Sequence, residues 1–198
     1  HMKKSEFIKK YLSETSFIAQ YLDSGTIEKM LDVLLKTKSD WGRLFFLGVG
    51  GGAATGSHAA NDFNKIAGIS TFCLSDNAGL LTALANDEGW QSVFVRQLRM
   101  HNLSGKDCVF VYSVNGGTEN ISNNLVLAID YAKSIGAKVI GVVGSDMGHT
   151  AKKADVCLIV PMLNPDNKTP HAEDFQLIVN HLLSNMMHQI QKGNIDYA

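Results

Sequence analysis

The chain has no run of lysine or arginine, and its 18 basic and 19 acidic residues leave a formal net charge of -1. A broad electrostatic footprint for nucleic acid or an anionic membrane is therefore excluded. No apolar stretch approaches the roughly 20 residues that span a bilayer, and the N-terminus lacks a signal-peptide pattern. A cytoplasmic protein is expected, with no membrane and no nucleic acid as direct partner. The 3 cysteines, Cys73, Cys108 and Cys157, have no metal-type spacing. Each lies in an apolar strand-like run, which predicts buried thiols in a reducing compartment. Repeats, low-complexity segments and linkers are absent as well, so residues 1–198 read as one domain. His1-Met2 resembles the remnant of a cleaved tag, and His1 carries no functional weight.

What is present is a core and two glycine-rich junctions. At 45% hydrophobic content, 198 residues are enough to bury a full core. Leu44-Phe45-Phe46-Leu47 runs into Gly48-Val49-Gly50-Gly51-Gly52 and then into a segment of helical composition. Glycines let an anionic group approach the backbone, and the first N–H groups and dipole of a helix favour negative charge. Val109-Phe110-Val111-Tyr112 leads in the same way into Ser113-Val114-Asn115-Gly116-Gly117-Thr118-Glu119-Asn120, with a helical pattern from Ile121. Two such loops in one parallel sheet can face a single pocket at the carboxyl ends of the strands. Either loop alone also describes an ordinary tight turn.

Along the chain, Ser5 to Lys38 has helical periodicity with a break near Ser24-Gly25, which predicts a helical N-terminal arm over residues 1–40. From residue 41 onward, strand-like runs alternate with helical patterns. The strands are expected around Leu44–Leu47, Thr71–Leu74, Cys108–Tyr112, Lys138–Val143 and Val156–Val160, and the last helix over Ala172–Gln191. Gly136 is placed to end the helix before the fourth strand. The pattern predicts an α/β fold, a doubly wound parallel sheet of five strands.

The candidate chemistry lies on two helices. His58 and Asp62 are four residues apart and share a face of the helix after the first glycine turn. Glu173 and His181 lie eight apart on the last helix, where Leu177, Ile178, Leu182 and Leu183 predict a packed surface and a partly buried His181. Two imidazoles and two carboxylates can bind a divalent metal or divide acid and base work. The same spacings also describe a surface ion pair and a hydrogen-bonded core histidine. His101 and His149 fall in expected surface turns.

In their order and spacing these motifs resemble the sugar isomerase (SIS) domain family, and within it the phosphoheptose isomerases, over nearly the whole chain. The resemblance implies a flavodoxin-like fold and isomerisation of sedoheptulose 7-phosphate to a heptose 7-phosphate, or of a related sugar in surface-polysaccharide synthesis. It implies a divalent metal, usually zinc, held at the positions of His58, Asp62, Glu173 and His181, with Asp62 and His181 moving protons through an enediol. It implies a homotetramer whose sites lie near subunit interfaces. Phosphate and substrate contacts are carried over to Gly51, Gly52, Ser113, Asn115 and Thr118, and to Asp76, Asn86 and Asp87. Ser75-Asp76 and Asn86-Asp87 equally suit helix capping.

The chain departs from the family pattern where Asp62 replaces glutamate, Glu173 glutamine, Gly52 a serine and Val49 an asparagine. Val114 interrupts the polar second loop, and Pro170 stands for an aspartate. These departures leave two further readings: a non-catalytic SIS module that binds a sugar phosphate or scaffolds a replication-initiator protein, and an isomerase whose substrate lacks a phosphate.

Overall fold

The computed structural model describes residues 2–197, so His1 lies outside it. Five parallel strands are hydrogen-bonded in the order β2-β1-β3-β4-β5: β1 Leu44–Gly48, β2 Thr71–Cys73, β3 Cys108–Ser113, β4 Lys138–Val143 and β5 Val156–Ile159. The chain leaves β1 toward β2 on one side and returns to β3 on the other. The carboxyl ends of β1 and β3 therefore flank the point where the winding reverses, the crevice in which open α/β sheets hold ligands.

Alternation along the central strands fills both faces. Phe46, Phe110 and Tyr112 join a core with Met30 and Leu34 of α2 (Ser24–Ser39), Ala59 of α3 (Gly51–Asp62), and Phe175, Val179 and Leu183 of α8 (Lys168–Gln191). Phe45, Leu47, Val109 and Val111 point the other way. There they meet Leu84 of α4 (Ala78–Glu88), Phe94 and Leu98 of α5 (Val93–Met100), and Leu125 and Ile129 of α6 (Asn123–Ile135). Burial of each of the valine, leucine, isoleucine, phenylalanine and methionine side chains is worth about 1.5–3 kcal/mol. Gly136 ends α6 in the left-handed conformation at φ +83°, as its position predicts.

The N-terminal segment is two elements of different kind. α2 covers the sheet, whereas α1 (Lys4–Tyr21) leaves Phe7, Ile8 and Leu12 exposed. Ile18 of α1 is fully buried in the core with α2 and α8, and a polar cluster adds a second anchor. The buried Glu14 carboxylate accepts hydrogen bonds from Asn167 at 2.8 Å, His171 at 2.8 Å and Asn164 at 3.2 Å. The bond from Asn167 leads these in holding Glu14 below the usual carboxylate range.

Three expectations about side chains change. His101 is not in open solvent: it packs against Phe72 and Phe45 at ring distances of 4.9 and 5.3 Å, and burial together with the Arg43 charge lowers its pKa. His149 begins α7 (His149–Lys153) and bonds Asp130 at 2.7 Å. Cys73 and Cys108 are buried, but Cys157, near the start of the edge strand β5, is only half-buried. Among the described residues no helix is long and apolar enough to cross a membrane.

Candidate functional site

The glycines of the first junction bring α3 hard against the sheet. A Cβ on Gly48 would overlap the Gly52 backbone, and a Cβ on Gly52 would overlap the carbonyl oxygen of Tyr112 on β3. Gly50 turns the chain at φ +60°. Position 52 thus has no room for a side chain, because α3 lies directly against the backbone of β3.

From this fixed start, α3 carries His58 and Asp62 to meet His181 on α8. His58 Nε2 lies 3.0 Å from His181 Nε2 and 3.2 Å from Asp62 Oδ2, and His181 Nε2 lies 3.5 Å from the same oxygen. Around a tetrahedral ion with bonds of about 2.0–2.1 Å, neighbouring donor atoms are separated by about 3.3–3.4 Å. Three donors at these separations fit such an ion with one coordination position left for water or substrate. Among the described residues these three form the group able to hold a metal. Asp62 is the buried member, at 8% side-chain exposure, while the histidines stand at the rim at 47% and 55%.

The exposure of His181 corrects the expected burial. α8 turns Phe175, Val179, Leu183 and Met187 inward together with Gln176, Asn180 and Ser184, and leaves Ile178 and Leu182 exposed. The inward polar row shifts the buried face away from the one that hydrophobicity alone marks. Directly after Asp62 the helix loosens into a π-helical turn, Phe63–Ala67, a distortion frequent beside functional sites.

Glu173 stands apart from the three donors. A Cβ on Gly51 would overlap its carboxylate, so the side chain lies over the first turn of α3, where the helix dipole favours negative charge. It lines a cavity of about 160 Å³ together with Gly52, Ser113, Val114, Asn115 and Gln176. The second loop supplies this cavity's other wall. Ser113 Oγ accepts from Gly116 N at 2.9 Å, and Asn115 Oδ1 accepts from Lys168 Nζ at 2.9 Å. The Ser113 hydroxyl proton and the Asn115 amide group remain as donors, with the Lys168 ammonium beside them. Thr118 closes its own turn instead, its hydroxyl oxygen accepting from Ile121 N at 3.0 Å. This turn postpones the next helix, so α6 begins at Asn123 rather than at Ile121, after Ser122 in the left-handed conformation.

The remaining sequence candidates lie elsewhere. Asp76 lines a different cavity, with Ser57, Asn61 and His101. Asn86 and Asp87 pair with each other at 2.8 Å near the end of α4. Pro170 is in the first turn of α8, where its missing N–H costs no helical bond. Sequence reasoning missed Lys168 and Asn180. The signal for Asn180 was the polar row Gln176, Asn180, Ser184 at helical spacing; for Lys168, a lone cation at the start of a helix, there was none.

A family model described as SIS domain matches residues 7–144, well over half of the chain. The chain belongs to the SIS domain family. The match ends before α8, so in this SIS protein the helix that carries His181 lies beyond it. Among relatives, the phosphoheptose isomerase of Helicobacter hepaticus is 30% identical over 166 residues, covering 81% of this chain and 80% of that protein. That of Leptospira biflexa is 32% identical over 162 residues, 78% of each chain. The structure of a phosphoheptose isomerase from Francisella tularensis superposes with a TM-score of 0.82 at 18% identity, over 95% of this chain and all (100%) of that one, and supports the fold.

Proposed function

We propose that this SIS protein is a metal-assisted aldose–ketose isomerase of the phosphoheptose isomerase type, converting sedoheptulose 7-phosphate, or a closely related sugar phosphate, to the corresponding aldose. The observation that carries the reading is the His58–Asp62–His181 cluster, three convergent donors held between α3 and α8. The similarity to phosphoheptose isomerases over most of both chains supports the same conclusion. Zinc suits two imidazoles and a carboxylate in near-tetrahedral separation.

The reaction moves a proton from C1 to C2 of the sugar and a hydroxyl proton from O1 to O2, by way of an enediol. Asp62, on the buried floor, is assigned the base that takes the carbon-bound proton and returns it to the neighbouring carbon. His181, at the open rim, is assigned the acid that exchanges protons with the oxygens, a role that falls to Nδ1 when Nε2 holds the ion. A divalent ion, when bound, polarises the carbonyl and lowers the cost of the developing negative charge. His58 and His181 would hold it with Asp62, and Glu173 is proposed as a further ligand on the family resemblance. The phosphate would be met by Ser113, Asn115, Lys168 and the loop amides.

The exposed apolar side chains of α1 and α8 support a homo-oligomer, and we assign the protein to the cytoplasm as a homotetramer with sites near subunit boundaries. One feature favours a second reading. Val114 and Gly52 offer no side-chain donor to a phosphate, which suits a module that binds a sugar phosphate weakly or a protein partner without turnover. Proton NMR of sedoheptulose 7-phosphate in deuterated water separates the two. Deuterium entering at the carbons that exchange the proton is the expected result; a substrate recovered unlabelled with the zinc-loaded protein overturns the enzyme reading.

A further inference from the structure

Beneath the cluster lies an amide that neither the family match nor the motif order singles out. Asn180 precedes His181 on α8, and its side chain is fully buried. Its Nδ2 donates to Asp62 Oδ2 at 2.8 Å, the oxygen that also faces His58 and His181. Asn61 Nδ2 reaches the other oxygen, Oδ1, at 3.3 Å. A carboxylate oxygen offers two acceptor positions. With one taken by Asn180, Oδ2 keeps one for the point that the two imidazoles share.

This arrangement is costly as packing alone. Among the described residues Asn180 Oδ1 is buried without a hydrogen-bond partner. Val179, Leu183 and Phe175 surround the same stretch of α8 in the core. A leucine there would fill similar space and bring no unsatisfied oxygen of its own, whereas an unsatisfied buried acceptor costs about 1–3 kcal/mol; what leucine would forfeit is the donor to Asp62. The amide is explained by the bond that its other end makes.

We propose that Asn180 is a positioning residue: it fixes the carboxylate of Asp62 so that Oδ2 faces His58 and His181, and thereby sets the affinity of the cluster for a divalent cation. The proposal rests on the metal-assisted reading. Partners that orient a metal ligand typically change metal affinity by about 10–100-fold when removed.

The test is a zinc titration of the parent, Asn180→Leu and Asn180→Ala proteins against a competing chromophoric chelator, with melting curves of the metal-free proteins. The expected result is zinc binding weakened about 10–100-fold in both variants, while metal-free Asn180→Leu still melts in one cooperative transition, because the lost bond to Asp62 and the removed unsatisfied oxygen are of similar size. If Asn180→Leu fails to fold, the Ala variant carries the affinity comparison. Zinc affinities within twofold of the parent overturn the proposal and leave the metal reading standing. A parent protein that takes up no zinc overturns the metal reading itself and this proposal with it.

Discussion

His58 Nε2 and His181 Nε2 stand 3.0 Å apart although 123 residues separate them in the chain. Two rim imidazoles at this distance can share one proton as a hydrogen-bonded pair or turn both nitrogen lone pairs to one ion. Because both side chains are about half exposed, truncating either leaves little core to collapse. His58→Ala is expected to fold with the parent's circular dichroism spectrum and to lose more than about 100-fold in zinc affinity, since removing even a ligand's hydrogen-bond partner costs about 10–100-fold. Competition titration measures it.

Gly52 is held by contact rather than by backbone freedom: a Cβ there meets the carbonyl oxygen of Tyr112. Gly52→Ser is therefore expected to destabilise the fold by about 1–3 kcal/mol, the usual cost of overpacking, and not to improve binding of the phosphorylated substrate. Urea unfolding and a KM measurement check the two parts. A serine variant as stable as the parent, with a lowered KM, would show that α3 moves aside freely.

Lys168 brings a cation to the second loop through its 2.9 Å bond to Asn115. Its partial exposure limits its worth to about 1 kcal/mol or somewhat more. Lys168→Ala is expected to raise KM for sedoheptulose 7-phosphate about 5–10-fold with kcat little changed, and to weaken inhibition by inorganic phosphate in parallel. Equal phosphate inhibition in parent and variant would remove Lys168 from the phosphate site.

At the opposite end of the sheet, Asp107 joins β1 to β3. It accepts from Arg43 N and Arg43 Nη2 at 2.8 Å each, and from Ser104 N at 2.8 Å. Burial pushes its carboxyl up, but the bonds from Arg43 and Ser104 outweigh this and hold its pKa below the ordinary value. A lowered folded-state pKa means that stability is fully present above the unfolded value of about 3.9 and is lost as pH falls through the folded one. Asp107→Asn should cost about 3 kcal/mol at pH 7, near the low end for breaking a buried pair because Arg43 keeps some access to water. The gap to the parent should close as pH drops below about 4, as followed by denaturant unfolding.

The sheet and the helices that bear the site were legible because their signals are local. Apolar runs at Leu44–Leu47 and Val109–Tyr112 end in glycines, and His58 and Asp62 repeat at a helical interval. Orientation was less legible. Leu177, Ile178 and Leu182 mark an apolar face on α8, yet Gln176, Asn180 and Ser184 turn inward with Phe175 and Val179. Buried polar residues of this kind are stabilised by tertiary partners, here Asp62 and the carbonyl of Val142, that hydrophobic periodicity does not encode. His101 was misplaced for the same reason, since its aromatic neighbours come from β1 and β2. The late start of α6 follows from the turn closed by Thr118 and Ile121, a hydrogen bond that a helical pattern hides.

The most direct measurement is elemental analysis of the purified parent and His58→Ala proteins, followed by assay of each with sedoheptulose 7-phosphate. The expected result is close to one divalent ion per chain and steady isomerisation in the parent, with both lost together in the variant. A metal-free parent protein, or turnover that survives the loss of His58, would contradict a metal-assisted isomerase built on His58, Asp62 and His181.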